Sequence, residues 1–213
     1  MNHSEPVARE GWIFVVLAVL LTLLLYFTAG YGGAVPGVVL TVFCLFFFRN
    51  PGRTIPEERG IVVSPADGKV MDITTMAEDK YIQANTQRVR IFLSLFNVHI
   101  NRNPIAGKVE WVKKVSGEYL PAYKDEASFK NARNYLGIST AWGRIMVVQI
   151  TGLIARRLVC WVRPGDIMST GERFGLIRFG SCTEIYLPDE AVIKVKPGQK
   201  VKGGETIIAR FHE

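Results

Sequence analysis

The chain has 213 residues, enough for one ordinary domain and an appendage. Hydrophobic residues make up 48% of it, with most of the excess in the first 48 positions, so the rest reads as a soluble domain with its own core. A net charge of +7 favours anionic partners, and an apolar anchor beside a basic domain turns that choice toward anionic lipid and away from nucleic acid. Cys44, Cys160 and Cys182 form no CxxC pair, so neither a zinc site nor a disulfide framework is expected.

The first element is an apolar run, WIFVVLAVLLTLLLYFTA, over residues 12–29, at the short end of what spans a bilayer as a helix. A second apolar run, 34–48, follows the turn Gly30-Tyr31-Gly32-Gly33. Together they predict a membrane-anchoring helical hairpin over 1–49, spanning or re-entrant. A cleaved signal peptide is the weaker reading, because no small-x-small site separates the two runs. Arg9 precedes the hairpin and Arg49 and Arg53 follow it, so the positive-inside rule puts the main domain on the cytoplasmic face of the plasma (inner) membrane.

Residues 50–60, NPGRTIPEERG, form a linker, and 61–213 form the main domain. Short apolar stretches there alternate with Gly and Pro, the texture of closely spaced strands. The expected fold is mainly β, a sandwich or barrel-like arrangement. Residues 121–136 are polar and read as a loop or short helix. Two internal echoes stand out. Val162-Arg163-Pro164-Gly165 and Gly171-Glu172 recur 33 positions later as Val195-Lys196-Pro197-Gly198 and Gly204-Glu205. Pro65-Ala66-Asp67-Gly68-Lys69-Val70 is echoed by Pro104-Ile105-Ala106-Gly107-Lys108-Val109. Such half-motifs look like those of lipoyl-type β-sandwiches, although Pro-Gly and Gly-Lys turns also recur by chance in β proteins.

Three residues carry candidate chemistry. His99, in FLSLFNVHI, is the one well-placed side chain that titrates near neutral pH, and by itself it reads equally as a structural histidine. Asp67, between Pro65 and Gly68, is by itself a turn residue. Gly180-Ser181 lies between two strand-like stretches. A Gly-Ser pair is also what backbone self-cleavage requires. The hydroxyl attacks the preceding carbonyl, glycine removes the Cβ clash, and a histidine oriented by a carboxylate takes the proton.

The apolar N-terminus, SPADGKV, SLFNVHINRNPIAGKV and RFGSC, in this order and spacing, resemble the short (type II) form of the phosphatidylserine decarboxylases over nearly the whole chain. The resemblance implies that Asp67 and His99 activate Ser181 to cut the Gly180–Ser181 bond. The cut leaves a large fragment, 1–180, and a small one, 181–213, as a heterodimer. Ser181 would become a covalent pyruvoyl group, the electron sink for decarboxylation of phosphatidylserine to phosphatidylethanolamine. Longer relatives carry a second histidine three residues beyond His99, where this chain has Arg102. One histidine would then serve both steps, or Arg102 would help bind the substrate carboxylate or phosphate. Cys182 follows the cleavage serine, where longer relatives often have Thr or Ser, and a thiol there competes in principle as a nucleophile. Lys124, Lys130, Arg133 and Asn134 are the remaining candidates for phospholipid contact. Two rivals remain: a membrane-anchored lipoyl-like carrier or adaptor without catalysis, which the half-motif echoes fit, and a Ser-His-Asp lipid hydrolase using the same three residues but lacking a GxSxG elbow.

Overall fold

The computed structural model describes residues 3–153, 157–178 and 181–212, and its chain forms two compact units, Met1–Gly52 and Arg53–Glu213.

The first unit is built on α1 (Trp12–Phe47), which is broken at Gly30. Gly30 has φ 67° and ψ −160°, a conformation open to glycine and strained for other residues. The break folds the helix back on itself. Thr22 Oγ1 lies 3.4 Å from Thr41 Oγ1, nineteen positions apart, and the missing side chain of Gly37 lets the second arm close on Thr22. The ends are tied as well: Phe14 stacks on Phe48, the Ala8 amide donates to the Phe48 carbonyl, and Asn50 Nδ2 donates to the carbonyls of His3 and Glu5. Each arm is roughly 27 Å long at the helical rise per residue. The outward residues Leu17, Leu20, Leu24, Phe27, Val39 and Val42 are exposed, so this apolar surface is suited to an acyl-chain environment.

The second unit is mainly β. Its strands are β1 (Ile61–Val63), β2 (Gly68–Glu78), β3 (Ala84–Leu93), β4 (Ile100–Arg102), β5 (Gly107–Val115), β6 (Arg133–Thr140), β7 (Gly143–Ile150), β8 (Arg157–Cys160), β9 (Ile167–Met168), β10 (Arg173–Arg178), β11 (Ser181–Pro188), β12 (Val192–Ile193), β13 (Lys200–Val201) and β14 (Ile207–Arg210). A single turn of helix, α2 (Ala127–Lys130), lies in the polar segment before β6. Eight strands form one curled sheet in the order β13-β2-β3-β11-β7-β6-β5-β9, and two three-stranded sheets, β1-β14-β12 and β4-β10-β8, complete the unit. The main core, including Val62, Ile91, Leu93, Leu136, Ile145, Phe174, Ile185 and Ile208, draws on all three sheets.

The strand order reads symmetrically from either end, and the sequence echoes explain why. Strands β1–β3 with β11–β14 form an outer repeat, and β4–β10 form an inner repeat inserted between β3 and β11. Equivalent strands make equivalent bonds. The amides of Gly198 and Gly165 donate to the carbonyls of Val70 and Val109, and those of Gly204 and Gly171 to Ser64 and Asn103. All four glycines have positive φ, which fixes why the Pro-Gly and Gly-Glu turns recur. The short strands between them, β13 and β9, pair with β2 and β5 at Gly68-Lys69 and Gly107-Lys108. The repeats also cross-brace each other: Val63 donates to Pro104, and Arg102 to Pro65.

Candidate active site

Ser181 opens β11, the strand held between β3 and β7 by antiparallel ladders on both sides. Side chains alternate along it. Ile185 and Leu187 enter the main core on the same side as Ser181 and Thr183, whereas Cys182 and Tyr186 enter a second cluster on the opposite face. Ser181 is fully buried, and its Oγ makes no hydrogen bond among the described residues. A buried hydroxyl without a partner carries a desolvation cost, so its retention calls for a reason outside packing.

His99 is brought to the same edge of the sheet. β3 ends at Leu93, directly opposite Ser181, and the chain then turns through residues 94–97. Asn97 Oδ1 fixes that turn by accepting from the Ser94 amide at 2.9 Å and the Ser94 hydroxyl at 2.7 Å. His99 follows, fully buried, immediately before β4. Its carbonyl accepts from the Ile177 amide of β10, the strand leading back to Ser181. Two residues beyond each, Asn101 Nδ2 donates to Thr183 Oγ1 at 3.0 Å, tying the histidine's strand to the serine's strand. The tie continues inward: Gln149 Nε2 donates to Asn101 Oδ1, and Asn134 Nδ2 donates to Gln149 Oε1, all four side chains being fully buried.

Asp67 lies on the turn after Ser64-Pro65, which is bound to β4 through the Pro65 carbonyl. Its carboxylate is held by Arg53, whose Nη2 reaches both oxygens at 2.9 and 2.8 Å, and by the Gly203 amide at 2.8 Å. The structure thus brings the three segments together while the carboxylate's hydrogen bonds go to Arg53 and Gly203. Arg53, the partner that sequence reasoning missed, was visible only as a basic residue of the linker. Gly180 lies outside the described residues.

The other candidates are dispersed. Arg102 is buried and donates to the Gly171 carbonyl at 2.9 Å. Burial and the nearby Arg173 and Arg53 hold its pKa down to about 10. Arg133 is buried and donates to the carbonyls of Ser128 and Asn131. Asn134 belongs to the buried amide chain. Lys130 is exposed and pairs with Glu126, and Lys124 is exposed, with its carbonyl accepting from Arg90. The fold uses the donors of Arg102, Arg133 and Asn134, and no local pattern marks which polar residues the interior claims.

Cys182 stands on the opposite face of β11 from Ser181. Burial, reinforced by Glu184, pushes its thiol up to about 12, so it stays protonated and weakly nucleophilic beside Ser181. On this face Glu184 accepts from Ser128 at 2.6 Å and Tyr186 at 2.8 Å, while Arg90 and Arg88 lie 3.5 and 3.9 Å away.

An apolar N-terminal hairpin and a β unit whose serine is buried, with a buried histidine just before β4, define a mainly β protein unlike a hydrolase with an exposed nucleophile elbow. The family model for phosphatidylserine decarboxylase matches residues 40–209. The chain is 49% identical to the phosphatidylserine decarboxylase proenzyme of Carboxydothermus hydrogenoformans, over 98% of this chain and 99% of the relative. It is 46% identical to that of Symbiobacterium thermophilum, over 96% and 95%, and 41% identical to that of Burkholderia lata, over the whole of both chains. The chain belongs to the phosphatidylserine decarboxylase family.

Proposed function

We propose that this chain decarboxylates phosphatidylserine to phosphatidylethanolamine after cutting itself between Gly180 and Ser181. The observation that carries the reading is the buried hydroxyl of Ser181, which has no hydrogen bond among the described residues, at the edge where the His99 segment enters the fold.

Ser181 Oγ adds to the carbonyl carbon of Gly180 while His99 accepts its proton. The C–N bond breaks, the amine takes a proton, and an ester replaces the peptide. Loss of the Ser181 α-proton then expels the Gly180 carboxylate and leaves dehydroalanine. This tautomerises to an imine, and water releases ammonia and leaves the pyruvoyl ketone. The residues fit that product: Ser181 loses its oxygen without breaking any hydrogen bond among the described residues. Once formed, the group supplies an electron sink for loss of CO2 from the serine headgroup. In that second step His99 delivers a proton to the carbon that lost CO2. Asp67 acts on this edge through the turn that binds β4.

The inner repeat supports the part given to His99. The position equivalent to His99 is Gly60, whose carbonyl accepts from Phe211 as that of His99 does from Ile177. Gly60 packs against Trp142, the residue just before Gly143, and Gly143 opens β7 as Ser181 opens β11. By this correspondence the His99 segment belongs to the end of β11 that Ser181 opens, which supports His99 as the proton acceptor. The fragments 1–180 and 181–213 stay together as a heterodimer because β11 is central to the large sheet, while β13 and β14 pair with β2 and β1.

The hairpin anchors the chain to the cytoplasmic face of the plasma membrane, with Arg9, Arg49 and Arg53 flanking it. Among the substrate-contact candidates, Lys130 has the surface position for a headgroup, and Arg102, Arg133 and Asn134 act by shaping the fold around the site.

Intact-mass measurement tests the reading. Wild type should appear as two fragments, the smaller beginning with a ketone that borohydride reduces, and Ser181→Ala should remain one chain. A single unbroken wild-type chain that releases CO2 from phosphatidylserine would overturn it.

A further inference from the structure

The segment before β1 has the composition of a linker, yet two of its side chains are seated on the second unit. Ile55 lies against Gly171 and Gly204 at once, in the space a Cβ on either glycine would need, and both glycines have positive φ. They are equivalent positions of the inner and outer repeats, their amides donating to the carbonyls of Asn103 and Ser64. One isoleucine therefore fills the place where the two copies meet. Two residues earlier, the Arg53 side chain is only 8% exposed. Its Nη2 donates to both Asp67 oxygens at 2.9 and 2.8 Å, and its Nη1 lies 3.7 Å from Glu205. A planar guanidinium spans two carboxylates in this way with less loss of freedom than a lysine ammonium. A segment that only tethers gains nothing from such order, because burying an arginine and fixing an isoleucine cost desolvation and chain entropy. From this seat a line of hydrogen bonds runs to the Ser181 edge. The Pro65 carbonyl, two residues before Asp67, accepts from the Arg102 amide at 2.9 Å and from Asn101 Nδ2 at 3.4 Å. β4 follows directly on His99, and Asn101 also donates to Thr183 on the Ser181 strand.

We propose that Arg53 and Ile55 form a strap that positions the Asp67 turn, and through it the His99 strand, for self-cleavage. Arg53 is a positioning residue: its bonds go to Asp67, and its effect on Ser181 passes through β4. The strap also lies across the cut, since Asp67 and Gly171 belong to the fragment 1–180 and Gly204 and Glu205 to the fragment 181–213. The inference rests on the reading of Ser181 as the cleavage residue.

The test follows self-cleavage of the full chain during cell-free synthesis, as appearance of the 181–213 fragment on gels. Arg53→Ala should slow it about twentyfold. Ethylguanidinium at millimolar concentration should speed that variant about fivefold, and ethylammonium should not. Ile55→Ala should slow cleavage about fivefold, and Ile55→Val should stay within about twofold of wild type. Val109→Ala, a core change outside the strap, is the control: at an equal or greater loss of urea midpoint it should leave the rate within about twofold of wild type. An Arg53→Ala chain that cuts at the wild-type rate overturns the proposal. So does a slowing that Val109→Ala reproduces and the guanidinium leaves unrelieved, which makes the strap scaffolding. A wild-type chain that never cuts sinks the decarboxylase reading itself, whereas a cut wild type beside an equally fast Arg53→Ala sinks this inference alone.

Discussion

In the inner repeat β6 turns directly into β7 through residues 140–143, where the Thr140 hydroxyl donates to the Gly143 carbonyl and accepts from the Trp142 amide. In the outer repeat the equivalent strands, β3 and β11, are separated by the whole inner repeat. The opened turn is where His99 and Ser181 lie. A second difference concerns the turns before β2 and β5. In the inner one the Ala106 amide donates to Thr170 Oγ1, closing the junction without charge. In the outer one the partners exchange roles: the Gly203 amide donates to Asp67 Oδ1, and Arg53 covers the carboxylate. A third concerns the seam between sheets. Asn101 and Thr183 make a buried hydrogen bond, whereas the equivalent Val62 and Ile145 are core aliphatics. In these three places the polar version belongs to the Ser181 edge. A fold needing only stability has an apolar solution available in its own second copy, so the polar groups point to chemistry.

Making the outer repeat resemble the inner one at Asp67 has the largest expected effect. Asp67→Ala leaves the guanidinium of Arg53, whose side chain is only 8% exposed, with the more distant Glu205 carboxylate at 3.7 Å, and should cost about 3 kcal/mol in chemical denaturation. It should also slow self-cleavage at least a hundredfold, read as loss of the small fragment on gels. Arg53→Met added to Asp67→Ala should recover most of the stability and none of the cleavage. If cleavage returns with stability, Asp67 is a scaffold for the turn and nothing more.

The seam gives a smaller effect with the same logic. Thr183→Val or Asn101→Val alone leaves a buried partner unsatisfied and should cost roughly 1–3 kcal/mol, with Thr183→Ser close to neutral. The double change Asn101→Val/Thr183→Ile copies the Val62–Ile145 seam and should recover part of that loss, with Gln149 Nε2 giving up Asn101 Oδ1 and keeping the Val159 carbonyl. Maturation of the double variant should nevertheless slow about tenfold, because the tie between the His99 strand and the Ser181 strand is gone. A double variant that matures at the wild-type rate would reduce this hydrogen bond to packing.

Much of this comparison is present in the chain itself. The Pro-Gly turns at 164–165 and 197–198, and the Gly-Lys pairs at 68–69 and 107–108, are short-range signals tied to positive φ and strand starts, and they survive as text. So does Gly30, which breaks a helix in a run otherwise uniformly apolar. His99, Asp67 and Ser181 were legible as reactive types in a family order. What the sequence does not carry is the long-range pairing. The β3–β11 ladder joins residues 86–93 to 181–188 across the inserted repeat, and no local propensity encodes such a register. For the same reason Arg133 and Asn134 read as part of a polar loop or short helix with candidates for phosphate contact, and pairing with β7 buries both beside Ile150 and Gln149. A polar side chain announces its chemistry in sequence, but whether water or the fold receives its hydrogen bonds is decided by strands far away.

The smallest effect comes from the two residues that follow the starts of β11 and β7. Cys182 is buried with its thiol raised to about 12, whereas its inner-repeat equivalent, Arg144, stays largely in solvent. In the unfolded chain a thiol ionises near its ordinary value of 9.0, so between that pH and about 12 the unfolded state releases a proton that the folded state keeps. Stability from this group is therefore complete below pH 9 and is lost as pH rises toward the folded value, with a slope approaching about 1.4 kcal/mol per pH unit. Tyr186, raised by burial and by Glu184, adds loss of the same sign at higher pH. Urea denaturation between pH 8 and 10.5 should show this fall in wild type and a shallower one in Cys182→Val, while Arg144→Gln should leave the slope as it is. If Cys182→Val keeps the full wild-type slope, the alkaline loss belongs to the tyrosines, and the thiol beside the cleavage position is free to ionise.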